Sequence, residues 1–166
     1  MEHLSLEELI EQRPRAIPEA RFITCEQRPF WGVALMRTSP DLRPLLCETR
    51  SLHQARETLQ ASPRSFLALE LNGSNLETLL ELLRQITKHF PRAHVSILSQ
   101  PAFLDAEWIM RHAGAVDFLV SLSELRALSE VARIHFSLPG TQSLPYGQTV
   151  WERLPWRSVH DKKGGI

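Results

Sequence analysis

The chain has little of what usually announces a special chemistry. Two cysteines in 166 residues, Cys25 and Cys47, are too few for a four-ligand zinc site or a disulfide framework, so they read as free thiols in a reducing compartment. No sign of charge is in excess. Nineteen basic residues face nineteen acidic ones, so no overall field draws the chain to nucleic acid or to an anionic membrane. The basic pair Lys162-Lys163 reads as part of a solvated tail. No apolar run approaches the ~20 residues of a membrane span, and the opening "MEHLSLEELIEQRPR" breaks its leucines with charge where a signal peptide has an apolar core. These absences predict a cytoplasmic protein with neither a membrane nor a nucleic-acid partner.

Catalytic signatures are missing as well. There is no P-loop, no G-x-G-x-x-G and no G-x-S-x-G. His3, His53, His89, His94, His112, His135 and His160 show no metal-ligand spacing. No metal site, no cofactor and no enzymatic activity are expected.

What the chain does have is alternation. "SFLALELNG", Ser65 to Gly73, is a short apolar run that ends in a carboxylate, Glu70, and a turn. A capping box, Ser74 to Glu77, predicts a helix start directly after it, and Leu76, Leu79, Leu80, Leu83 and Ile86 give that helix one apolar stripe up to Pro91. "HVSILS", His94 to Ser99, reads as the next strand. Asp105 to Ala113 reads as a helix stopped by Gly114, and Val116 to Val120 as another strand. A second capping box, Ser121 to Glu124, opens a helix expected to reach about Phe136. Strand and helix in turn are the pattern of βα units on a parallel sheet.

The first third is less regular. "WGVALM", Trp31 to Met36, reads as a buried strand, Leu45 to Thr49 as a second strand, and Ser51 to Gln60 as a helix. The connection between those strands is shorter than a helical crossover needs and contains Pro44, so the first βαβ unit reads as truncated and the topology of residues 37–50 stays open. Arg21 to Cys25 would then be an extra edge strand, and Leu4 to Gln12 a covering helix. The expected organisation is an N-terminal extension over residues 1–30, an α/β domain over 31–137 and a tail over 138–166. Pro139, Gly140, Pro145 and Gly147 break regular structure in the tail, which carries Trp151, Leu154 and Trp156.

From Pro63 to about Phe136, "PRSFLALELNGSNLETLLELLRQITKHFPRAHVSILSQ" followed by "AGAVDFLVSLSELRAL" resembles the receiver domains of two-component signalling. "LMRTSPDLRPLL" looks like the end of that family's first strand and the start of its first helix. The resemblance implies a flavodoxin-like, doubly wound parallel sheet of order 2-1-3-4-5, with the site at the C-terminal strand ends. It also implies a defective site. Where the family has a Mg²⁺-binding acidic pair, the chain offers Arg37 and Thr38. Glu70 takes the phosphoacceptor position. Ser99 matches the hydroxyl residue after the fourth strand and Phe118 the aromatic of the fifth, but Ser121 replaces the lysine that would grip a phosphoryl group. An Arg37–Glu70 ion pair across neighbouring strand tips is expected.

Together these readings point to a non-phosphorylatable pseudo-receiver, a regulatory or adaptor module that binds another protein or a second copy of itself. The resemblance puts the docking surface at about Asp105 to His135, with Trp108, Met110 and Leu122 as contacts, and the tail adds Trp151, Leu154 and Trp156. The alternative is a small-ligand or anion site at the strand tips, with donors from Arg37, Thr38, Asn72, Ser99 and the helix start at Ser74.

Overall fold

The structure, a computed structural model, describes residues 19–138. Five parallel strands form one sheet of order β2-β1-β3-β4-β5: β1 is Phe22–Cys25, β2 Leu46–Thr49, β3 Phe66–Glu70, β4 His94–Leu98 and β5 Asp117–Leu119. The helices between them are α1, Trp31–Thr38; α2, Leu52–Ala61; α3, Leu76–His89; α4, Glu107–Ala113; and α5, Leu125–Ser137. The alternation predicts the parallel sheet, and its order is that of the flavodoxin-like doubly wound arrangement which the receiver resemblance implies.

Each central strand is covered on both faces, which is why β1 and β3 read as nearly unbroken apolar runs. On one face Ile23, Leu67, Leu69 and Ile97 pack with Leu59, Leu79, Leu83 and Met110 from α2, α3 and α4. On the other, Phe22, Phe66, Ala68 and Leu98 meet Trp31 and Leu35 of α1 and Leu125, Leu128 and Ala132 of α5.

The first third departs from expectation. "WGVALM" is not a strand but most of α1, and the central strand of the sheet is Phe22–Cys25, inside the segment read as an N-terminal extension. The first unit is therefore not truncated: residues 26–45 supply a full crossover made of α1 and a 3-10 turn at Pro40–Leu45. A short apolar run fits either period, and the deciding interaction is not local to it. The Glu26 carboxylate accepts the N–H groups of Phe30, Trp31 and Gly32 at 2.9, 2.7 and 2.8 Å. Those are orphan donors of a helix start, which a strand would not present as a cluster. Trp31 and Leu35 then lie one turn apart on the buried stripe.

Other boundaries shift for local reasons. No capping box forms at Ser74, because helix α3 has Asn75 as its N-cap. The Asn75 side chain accepts the Asn72 N–H at 2.9 Å and donates to the Glu70 carbonyl at 2.8 Å. The box at Ser121 does form, with Glu124 accepting the Ser121 N–H at 2.8 Å. Residues 105–113 divide into a 3-10 turn, Pro101–Ala106, and α4. Gly114 ends α4 at φ 120°, and a β-carbon there would fall 2.2 Å from Thr87 Oγ1, so glycine is required by conformation and by space.

Helix α5 is tied to the rest of the domain at several points. Ser39 Oγ donates to Ser129 Oγ at 2.7 Å. Arg133 grips Asp41 with two bonds of 2.8 Å. Near its end, His135 bonds the Arg64 carbonyl through Nε2 at 2.6 Å and His94 Nδ1 through Nδ1 at 2.9 Å. Because a carbonyl only accepts, His135 carries its proton on Nε2, and His94 is then the donor between the rings.

Candidate site at the strand tips

The C-terminal ends of the strands are where open α/β sheets place their binding groups. The register pairs Cys25 with Leu69, so Glu26, just beyond β1, and Glu70, the last residue of β3, stand side by side at the strand tips. Their sequences are parallel too: "FITC" and "FLAL" are each followed by a glutamate. That repetition was the signal by which the first strand could have been found.

Both carboxylates are engaged by backbone donors. Glu26 is 1% exposed, and its two oxygens hold the start of α1 through the three bonds described above. Glu70 Oε2 accepts the Gln27 N–H at 2.8 Å, which joins the tip of β3 to the loop after β1. The Arg50 guanidinium donates to the Glu26 carbonyl at 3.4 Å and pairs with Glu48 at 3.0 Å. Beneath them, burial pushes the Cys25 thiol pKa up; Glu70 and Glu26 add to the rise, while the Thr49 hydroxyl and Arg50 oppose it.

Arg37 and Thr38 are not part of this site. They end α1, which starts at the strand tips and runs away from them, and the Thr38 hydroxyl bonds back to the Ala34 carbonyl at 3.0 Å. No Arg37–Glu70 ion pair forms among the described residues. The residues that follow the first strand are instead Glu26 and Gln27, so one acid of the expected pair is present and the second is an amide.

The remaining positions fall at or near the tips. Ser99 is buried, its N–H donating to the Leu119 carbonyl at 2.8 Å and its hydroxyl to the Gln100 carbonyl at 3.3 Å. Phe118 packs in the core on the α2, α3 and α4 face. Ser121 caps the turn into α5. Glu70, Ser99 and Ser121 share an open cleft of about 820 Å³ with Arg28, Phe30 and Asn72, and Leu122 lies on its rim. A smaller cleft of about 210 Å³, lined by Cys25, Glu26, Arg50 and Asn75, opens on the other side of Glu70.

The expected partner contacts separate. Trp108 is 69% exposed and Leu104 51%, so neither packs against the sheet. Met110 is fully buried and cannot be a contact, because the turn of α4 that presents Trp108 outward points Met110 into the core. Trp151, Leu154 and Trp156 lie outside the described residues.

Comparison with known proteins agrees on the fold. No family model and no curated protein matches the sequence. Among solved structures, the chain is similar to a CheY-like protein, TadZ, from Pseudomonas aeruginosa PAO1, with a TM-score of 0.58 and 19% identity over 70% of this chain and 98% of that one. A response regulator from Thermotoga maritima matches with a TM-score of 0.54 and 19% identity over 72% and 99%. The described chain has the receiver-like fold.

Proposed function

We propose that this protein is a regulatory or adaptor module of receiver type that works without phosphoryl transfer and acts by binding another protein. The observation that carries the reading is the bonding of Glu26. A carboxylate that would have to turn outward to hold Mg²⁺ is buried and committed to three backbone N–H groups, and releasing it would strip the cap from α1. The neighbouring groups support the same reading. Gln27 is not an acid, Glu70 is bonded to the Gln27 N–H, and Ser121 brings no ammonium to the cleft. A phosphoryl group on Glu70 would lack both the metal and the lysine ammonium, with Arg28 the one cation in the lining of the cleft.

The test is direct. Acetyl phosphate or beryllofluoride with Mg²⁺ should leave the intact mass and the amide NMR spectrum unchanged, and a stoichiometric acid-labile adduct on Glu70 would overturn the reading. A pull-down from the native lysate should recover a specific partner protein. Trp151→Ala combined with Trp156→Ala tests whether that partner uses the tail.

The volume of the strand-tip cleft favours a second reading, small-ligand binding, since about 820 Å³ is within the range of such sites. Arg28, Asn72 and Gln100 would supply polar contacts there, in place of Arg37 and Thr38. A thermal-shift screen with nucleotides and small anions tests it, and a saturable rise in Tm that Arg28→Ala removes would favour it over a protein partner.

A further inference from the structure

Away from the strand tips, helices α3 and α4 enclose a groove of about 390 Å³ lined by Leu80, Arg84, Lys88, Trp108, Ile109 and His112 among others, none of them acidic. Its lining combines apolar side chains with the cations Arg84 and Lys88. Trp108 stands over it with its ring edge-on to His112 at a centroid distance of 5.5 Å, and at 69% exposed it is the most exposed large hydrophobic side chain among the described residues. Leu80, Arg84 and Lys88 of that lining follow each other at four-residue spacing, so one stripe of α3 runs from apolar to basic along the groove. Beyond α3, a second cleft of about 600 Å³ adds Arg56 and His89 with one acid, Glu81. Glu81 reaches Arg84 only at 3.8 Å, with both side chains mostly exposed, which leaves the guanidinium available to another partner. By contrast, the acid nearest Trp108 in sequence, Glu107, is held by Arg111 at 2.8 Å.

We propose that the α3–α4 groove docks an acidic segment of a partner protein whose carboxylates flank an aliphatic or aromatic side chain. This rests on the protein-binding reading above and adds the chemistry of the partner and the place where it binds. The argument is one of complementarity. A neutral chain gathers Arg84, Lys88 and His112 around one exposed tryptophan and leaves carboxylates out of the lining, so a matching surface carries negative charge and one apolar anchor. A nucleic acid fits less well, because Leu80, Ile109 and Ala113 take up lining where a second stacking ring or phosphate-spaced cations would be needed.

The experiment selects binders to the full chain from an unbiased library of displayed 12-residue peptides and measures the enriched peptides by fluorescence polarisation. Enriched sequences should be acidic around an aliphatic or aromatic residue. Trp108→Ala and the pair Arg84→Glu with Lys88→Glu should each weaken binding about tenfold or more, with Tm unchanged because these side chains are exposed. Basic or neutral peptides, the absence of any enriched peptide, or a labelled single-stranded oligonucleotide binding more tightly than the peptides would overturn the proposal. Enriched peptides that ignore these substitutions would overturn the groove but leave the adaptor reading standing, whereas phosphorylation of Glu70 would remove that reading and leave the groove intact.

Discussion

The Glu26 Oε1 oxygen accepts the Gly32 N–H at 2.8 Å, and a β-carbon built on Gly32 would lie 2.8 Å from that same oxygen. The helix start and the carboxylate that caps it therefore approach so closely that position 32 has no room for a side chain. Replacing Glu26 by Ala should cost about 2–4 kcal/mol, since it leaves several helix donors without an acceptor. Gly32→Ala should also destabilise, by pushing the carboxylate off its donors. Urea denaturation reads both, and a Gly32→Ala protein as stable as wild type would show that the cap is dispensable.

Glu70→Asp restores the usual length of a phosphoacceptor side chain but withdraws the carboxylate from the Gln27 N–H. It should remain unlabelled by acetyl phosphate, because Glu26 stays buried and Ser121 still brings no charge. Intact-mass measurement decides, and an adduct on the variant would mean that side-chain length alone silences the site.

His135 links stability to pH. Burial is the main cause that holds its pKa below the ordinary value; the Arg64 carbonyl opposes this, and the charges of His94 and Arg64 reinforce it. In the unfolded chain the imidazole takes up a proton near pH ~6.5, whereas the folded form resists it. The contribution is therefore full above that pH and is lost as the pH falls through it toward the folded value. Tm should drop between pH 7.5 and 5.5, and His135→Gln, which keeps a donor for Arg64, should flatten the slope. Parallel slopes for the two proteins would exclude His135 as the origin.

The two thiols should differ in reactivity. Cys25 is buried with its pKa raised, and the thiolate is the nucleophile. Cys47, on the edge strand β2, is partly exposed. Iodoacetamide at pH 7.5 should modify Cys47 well before Cys25, as read by peptide mass spectrometry. Comparable rates would mean that the strand tips open readily.

The part of the chain that the sequence determined runs from Phe66 to Ser137. There the βα units carry local punctuation: an apolar run and a turn before each helix, a stripe of leucines on α3, a glycine stop after α4 and a capping box at Ser121 before α5. Local chemistry is enough to place β3, α3, β4, α4, β5 and α5, and with them Glu70, Ser99, Phe118 and Ser121. The first unit lacks such punctuation. "WGVALM" has no Ser, Thr or Asp in front of it to mark a helix, because its cap is Glu26, several residues upstream and reached only when the loop folds back. Once that run is taken for a strand, Arg37 and Thr38 move into the site and Glu26 and Gln27 drop out of it. The same limit governs Trp108 and Met110, two residues apart on a short helix: their spacing puts them on different faces, but only the sheet behind α4 decides that Met110 is covered and Trp108 left to solvent. Local hydrogen bonding and periodicity are written in neighbouring residues, whereas a cap supplied from a distance and the choice of which helix face meets the sheet arise from packing.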